Sequence, residues 1–293
     1  MPRWLVRLYL IALVALLGLE VVLLATINPY APPRNNNDNE CVKGTLIKPR
    51  ITGDALRIDN DKDGLSDEVE LVHDSRIFGN DPKNWPDPYH ADIFLEIDTQ
   101  AGYLIPDSVK NRTIKFYDCL PYQNPDGTTG IRLHIDDASE DFYFEGGQLI
   151  TNADAHLTPY ITMVYNYQDA KWFDAERCGV FHYGIVFKNL KYYKTLPHAA
   201  GLGESPGDRV YFSGEDILRS DYFGTIIIVQ ELGHNILGQL DRINWDGDDT
   251  AHDPYGDFMS HRSYGSQEWA HDLIVAELQR DGFLGLPHYC SSR

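Results

Sequence analysis

Hydrophobic and polar positions along this chain of 293 residues fall into segments of different kinds. From Leu8 to Ile27 almost every residue is apolar. About twenty residues at a rise of roughly 1.5 Å reach one hydrocarbon thickness, so the run predicts a transmembrane helix within residues 1–30. Residues 31–50 are rich in Pro and Asn and predict an extended linker. Asp92–Asp98 (DIFLEID) alternates and predicts a strand. Gly130–Ile135 predicts another, after the turn signal Asn124-Pro125-Asp126-Gly127. Cys178–Phe187, aromatic and β-branched, predicts a third, and Arg209–Phe212 a short fourth. Val109–Leu120 predicts a helix with Ile114 and Phe116 inward. Tyr222–Leu237 is apolar and long enough for a buried helix. A last helix is predicted behind a Ser266 cap, with Trp269, Leu273 and Ala276 on its apolar side and Gly282 after it. Strands first and helices later predict an α+β fold. The expected organisation is an anchor at 1–30, a linker at 31–50, a distinct segment at 51–90 and a main domain at 91–293.

Flanking charge orients the anchor. Arg3 and Arg7 precede the apolar run, which keeps the N-terminus cytoplasmic and the main domain outside the cell. Glu20 inside the run costs about 2–3 kcal/mol on insertion scales, which the surrounding Leu and Val residues offset. A cleaved signal peptide and a secreted product are the alternative. An extracytoplasmic location suits the four widely spaced cysteines, Cys41, Cys119, Cys178 and Cys290, as candidates for two disulfides whose pairing stays open. Asn111-Arg112-Thr113 is a candidate glycosylation site.

Charge narrows the partners. The net charge is −19, and 31 of the 44 acidic residues are aspartate. That excludes a basic nucleic-acid-binding surface. Aspartate excess and a preference for Arg over Lys resemble the proteins of salt-loving archaea, whose carboxylate surfaces rely on salt for screening. An ordinary acidic extracellular protein is the plainer reading.

Within residues 51–90, Asp59-Asn60-Asp61-Lys62-Asp63-Gly64-Leu65-Ser66-Asp67-Glu68-Val69-Glu70 fits the spacing of a calcium loop. Calcium takes about six to eight oxygens, and alternate residues in a tight loop converge on one centre. Asp59, Asp61 and Asp63 would each give a carboxylate and Leu65 its carbonyl. Asp67 would bind directly or through water, Glu70 with both oxygens, and Gly64 would permit the turn. The single loop resembles those of dockerin-type and thrombospondin type 3 repeats, which implies a structural ion rather than a sensor.

The helix predicted over 222–237 carries Gln230-Glu231-Leu232-Gly233-His234-Asn235. This resembles the zinc-binding helix of the metzincin-like metallopeptidases. Tyr255-Gly256-Asp257-Phe258-Met259-Ser260 resembles their methionine turn. Asp92–Asp98, Asn124–Ile131 with Leu133–Asp136, and Phe181-His182-Tyr183 look like further blocks of a family of secreted prokaryotic metallopeptidase-like proteins, so the likeness spans about residues 91–282. It implies a metzincin-like fold, a zinc ion, a peptide or protein substrate, Glu231 as proton acceptor, His234 as zinc ligand and Met259 beneath the metal. One departure is plain: Gln230 stands where the first zinc histidine belongs, and an amide oxygen is a poor zinc ligand. The third ligand falls on Asp241 if one extra residue is allowed, with His252 and His261 as alternatives. Three readings therefore stand side by side. The chain is a zinc-dependent peptidase, a calcium-stabilised surface protein that has lost the activity, or a chance likeness at an ordinary helix.

Other motifs weigh less. Asp246–Asp253 is dense in ligand types and reads as a solvated loop, with a second cation as the alternative. His182 and His198 read as ordinary structural histidines. Gly203-Glu204-Ser205-Pro206-Gly207 matches a nucleophile elbow in letters only. Pro206 has no N–H for an oxyanion hole, and the preceding Ala199–Leu202 is not a convincing strand, so a turn is expected.

Overall fold

The computed structural model describes residues 58–139, 147–150, 173–192, 196–237, 257–260 and 270–283. The predicted anchor and linker lie outside them. No helix among the described residues is long and apolar enough to cross a membrane.

The fold is mixed, with helices packed on a mixed sheet. Strands β1 (Asp92–Gln100), β2 (Arg132–Asp137), β3 (Phe181–Phe187), β4 (Gly201–Gly203) and β5 (Arg209–Ser213) lie in the order β2-β1-β3-β5-β4. The first four in that order are parallel, and β4 runs antiparallel to β5 at the edge. Leu149–Ile150 also pairs with β1, beyond the end of β2. A hairpin of Leu190–Tyr192 and Leu196–Ala199 stands apart.

The predicted strands and the long helix all exist, with shifted ends. The helix after β1, α1 (Asp107–Asp118), starts two residues early, behind Pro106. Val109, Thr113, Phe116 and Tyr117 face inward, whereas Ile114 is only half-buried. Helix α2 spans Asp221–Leu237. Helix α3 spans Asp272–Asp281, and His271 caps it through its ring onto Leu273 N–H. The inward face of α3 is Ile274 and Leu278; Leu273 is 47% exposed and Ala276 is exposed, which corrects the predicted register. Gly282 ends the helix at positive φ, as expected. The segment dismissed before the Gly-Pro turn is a strand, β4, and residues 204–208 form the expected turn into β5.

Two apolar cores explain why β1 is buried along its length rather than on one face. Odd-numbered residues of β1 (Ile93, Leu95, Ile97) pack with Val109, Phe116, Ile228, Leu232 and Ile236 under the helices. On the other face Phe94 packs with Phe181, Tyr183 and Ile185, and with Leu65 and Phe78 from the segment before β1. The acidic-loop segment thus shares a core with the sheet, and the alternating strand β1 is central and covered on both faces. Its remaining even-numbered side chains, Asp92, Glu96 and Asp98, are buried carboxyls that need partners.

Candidate functional site

Two sites emerge, one at the start of β1 and one on α2. The first is the acidic loop. Lys62 and Gly64 both adopt positive φ, which folds the loop tightly. Gly64 N–H donates to Asp59 Oδ2, and Tyr122 Oη donates to the Asp61 carbonyl at 2.5 Å. Asp61, Asp63 and Glu70 are at most 2% exposed. Oxygens of Asp59, Asp61 and Asp63 lie within 4.8 Å of one another, as do those of Asp63, Glu70 and Asp92. Both carboxylate oxygens of Asp61 and of Glu70 are buried with no hydrogen-bond donor among the described residues.

Such a cluster is costly without a cation. Burial first, then mutual repulsion, pushes Asp61 up to about 10 and Glu70 up to about 11, and raises Asp63. The donor set is all oxygen, which suits a hard divalent ion such as calcium rather than zinc. Leu65 anchors the loop by its side chain, 3% exposed in the second core. Asp67, predicted to bind directly or through water, is held by Asn60. Its two oxygens accept from Asn60 N–H at 3.1 Å and from Asn60 Nδ2 at 2.5 Å. Asp92 was missed. Read in sequence it is only the first residue of a strand; its even-face position beside Glu96 and Asp98 was the available signal.

The second site is the helix motif. Helix α2 is apolar almost all round because it is enclosed, and its enclosure buries Glu231 at 8% and His234 at 5% exposure. Burial pushes the Glu231 carboxyl up to about 8, although the Gly203 N–H donates to it. Gln230 is half-buried one turn before His234, on the same helical face.

Strand β4 lies against this helix because it has glycine at both facing positions. A Cβ on Gly201 would come within 2.6 Å of Glu231 Oε1, and one on Gly203 within 3.0 Å of His234 Cβ. Glycines two apart fall on one side of a strand, and that spacing was the overlooked signal of close backbone approach. Asn235 fastens the same contact from the other end. Its Nδ2 donates to the carbonyls of Glu204 and Arg209 at 2.9 and 3.0 Å, and its Oδ1 is 3.3 Å from His182 Nδ1. His182 is therefore a structural histidine, as expected.

Behind the helix, Met259 is fully buried in a turn. Asp257 shapes that turn by accepting from Met259 N–H at 2.8 Å and from His271 N–H at 2.7 Å. A Cβ on Gly233 would meet Met259 Sδ at 2.5 Å and Phe258 Cε2 at 2.7 Å. Met259 thus packs directly under the residue between Glu231 and His234.

The remaining candidates divide as follows. Asp241, His252, His261, Asp246–Asp253, Cys41 and Cys290 lie outside the described residues. Cys119 and Cys178 are disulfide-bonded, and no described cysteine is free. Asn111 is exposed on α1. Among the described residues, no group of three metal-ligating side chains includes His234. Zinc takes three or four protein ligands, so the described residues alone do not complete such a site. Compared with protein-family models and with characterised proteins, the chain matches none.

Proposed function

We propose that the chain is a membrane-anchored, extracytoplasmic metallopeptidase-like protein that hydrolyses peptide bonds. The observation that carries this reading is Glu231. It is a buried carboxyl with a proton affinity raised to about 8, on an enclosed helix, three residues before a buried histidine. A general base is most effective when its proton affinity lies near the working pH. Met259 behind Gly233, and the glycine strand in front, are the further supports of a metzincin-like arrangement.

In this reading zinc would be held by His234 with Asp241 or His252, Gln230 remaining weak or outside the ligand set; when bound it supplies Lewis acidity and a more acidic water. Glu231 accepts the proton of the attacking water at its carboxylate. Gly203 N–H fixes that carboxylate's orientation. Strand β4, at the sheet edge among the described residues, offers main-chain groups to an extended peptide or protein substrate. The acidic loop holds calcium as a structural ion. The apolar run Leu8–Ile27 tethers the domain to the membrane from outside.

A second reading is favoured by one residue, Gln230, whose amide is a poor replacement for imidazole. In it the domain keeps the architecture and acts as a calcium-stabilised surface protein without hydrolysis. Peptide-library cleavage by the purified full chain, supplied with zinc, separates the two. The peptidase reading expects cleavage that Glu231→Gln removes while the melting temperature holds. No cleavage by the unsubstituted chain would favour the second reading.

A further inference from the structure

Beside the predicted calcium loop the sheet places a further buried carboxylate, that of Asp92. We infer that Asp92, the first residue of β1, ligates the ion held by the loop, so that the ion bonds the loop to the sheet. The inference rests on the calcium reading of Asp59–Glu70.

Asp67 occupies the loop position that would bind directly or through water; one of its oxygens accepts from Asn60 N–H and the other from Asn60 Nδ2. Asp92 has a carboxylate oxygen within 4.8 Å of ligand oxygens on both Asp63 and Glu70. It is 2% exposed, so it stands at the inner wall of the pocket. Its backbone N–H donates to Asp63 Oδ2 at 2.8 Å, which locks the two residues in register. Asp63 belongs to both oxygen groups, so they form one pocket. Asp59, Asp61, Asp63, the Leu65 carbonyl, both oxygens of Glu70 and one of Asp92 fall within the range of about six to eight that calcium takes. The four carboxylate oxygens of Asp61 and Glu70, buried with no donor among the described residues, are what an ion would satisfy.

Asp92 is also held from behind. Arg132 Nη2 donates to its Oδ2 at 2.6 Å, and His134 Nε2 lies 2.7 Å from Oδ1. Asp87 N–H also donates to Oδ2 at 3.2 Å, so Oδ1 is the oxygen with a second lone pair to offer, and these bonds orient the group without exhausting it. They also make β2 part of the support. Loading the loop would therefore fix the start of β1 and of its neighbour β2. On the far side the loop meets the end of α3, where Phe283 N–H donates to the Lys62 carbonyl at 2.9 Å.

Calorimetric titration of the metal-stripped full chain with calcium chloride, in detergent, tests this. The unsubstituted chain should bind calcium, and Asp59→Ala should abolish binding. Asp92→Asn, which keeps the shape but loses the charge, should weaken affinity by a factor of ten or more. Arg132→Gln separates ligation from simple support. It breaks the same ion pair while leaving the carboxylate, and so should bind calcium as tightly as the unsubstituted chain or more tightly. Equal affinity for Asp92→Asn and the unsubstituted chain would overturn the role of Asp92 alone. Equal weakening by Arg132→Gln and Asp92→Asn would also overturn it, assigning Asp92 to the fold. No calcium binding by the unsubstituted chain would overturn the calcium reading itself.

Discussion

Glu231 and the two glycines facing it show how single residues set the chemistry. A carboxyl with no ion-pair partner among the described residues, in an apolar enclosure, keeps its proton into the neutral range, against the pull of Gly203 N–H. Replacing Glu231 by Gln keeps the volume and the acceptor for that N–H. Thermal melting should therefore be unchanged while hydrolysis is lost; retained hydrolysis would remove Glu231 from the mechanism. Gly203→Ala acts differently. Its Cβ would press on the Glu231 carbonyl and His234 Cβ, parts of a buried helix that cannot swing aside. Overpacking of this kind costs about 1–3 kcal/mol, readable as an earlier denaturant midpoint with unchanged slope. An unaltered midpoint would mean that β4 and α2 are not in tight contact.

Among the elements, β1 carries the clearest lesson about what a sequence reveals. Its alternation was legible, and so were its neighbours, because Ile, Val, Phe and Tyr at spaced positions announce strands. Burial on both faces was not legible. It depends on Leu65 and Phe78, distant residues that cover the face bearing Asp92, Glu96 and Asp98. The clustering of the acidic loop was legible because its carboxylates are close together in sequence. Asp92 was not, because pairing of β1 with the loop is a tertiary event. Likewise β4 has too few side chains to give a pattern, and its glycines matter only beside α2.

The same covered face has a titration consequence. Arg177 Nη1 donates to Glu96 at 2.9 Å, and its Nη2 lies 2.5 Å from Asp136; Tyr183 Oη donates to Asp98. One guanidinium thus bonds two carboxyls of this cluster, and a tyrosine hydroxyl bonds the third. Burial is the main cause that pushes Glu96 up to about 8 and Asp98 and Asp136 up to about 6, against the pull of Arg177. These folded-state values lie above those of an unfolded chain, so the native protein holds the extra protons. Stability from this cluster is therefore present at acid pH and lost as pH rises through about 4 to 8. Denaturant unfolding at several pH values should show that decline, and Glu96→Gln should flatten its upper part. An identical slope in the variant would contradict the proton assigned to Glu96.

At the scale of the whole molecule, charge and cations act together. With a net charge of −19, the folded chain repels itself, and dissolved salt screens that repulsion. The melting temperature should climb on going from dilute buffer to molar potassium chloride; a flat response would count against the salt-adapted reading of the composition. In the calcium proposal the ion acts more locally, at the junction of loop, β1 and α3. Chelation should lower the melting temperature, and added calcium should restore it, because an ion bound only by the folded state stabilises it by mass action.

The most direct test of the account is the elemental metal content of the full chain, purified in high salt without chelating resin. The account predicts about one calcium and about one zinc per chain, with Asp59→Ala removing only the calcium and His234→Ala only the zinc. Calcium without zinc would contradict the peptidase proposal and leave the calcium-stabilised surface protein. Absence of both would contradict the account at each of its sites.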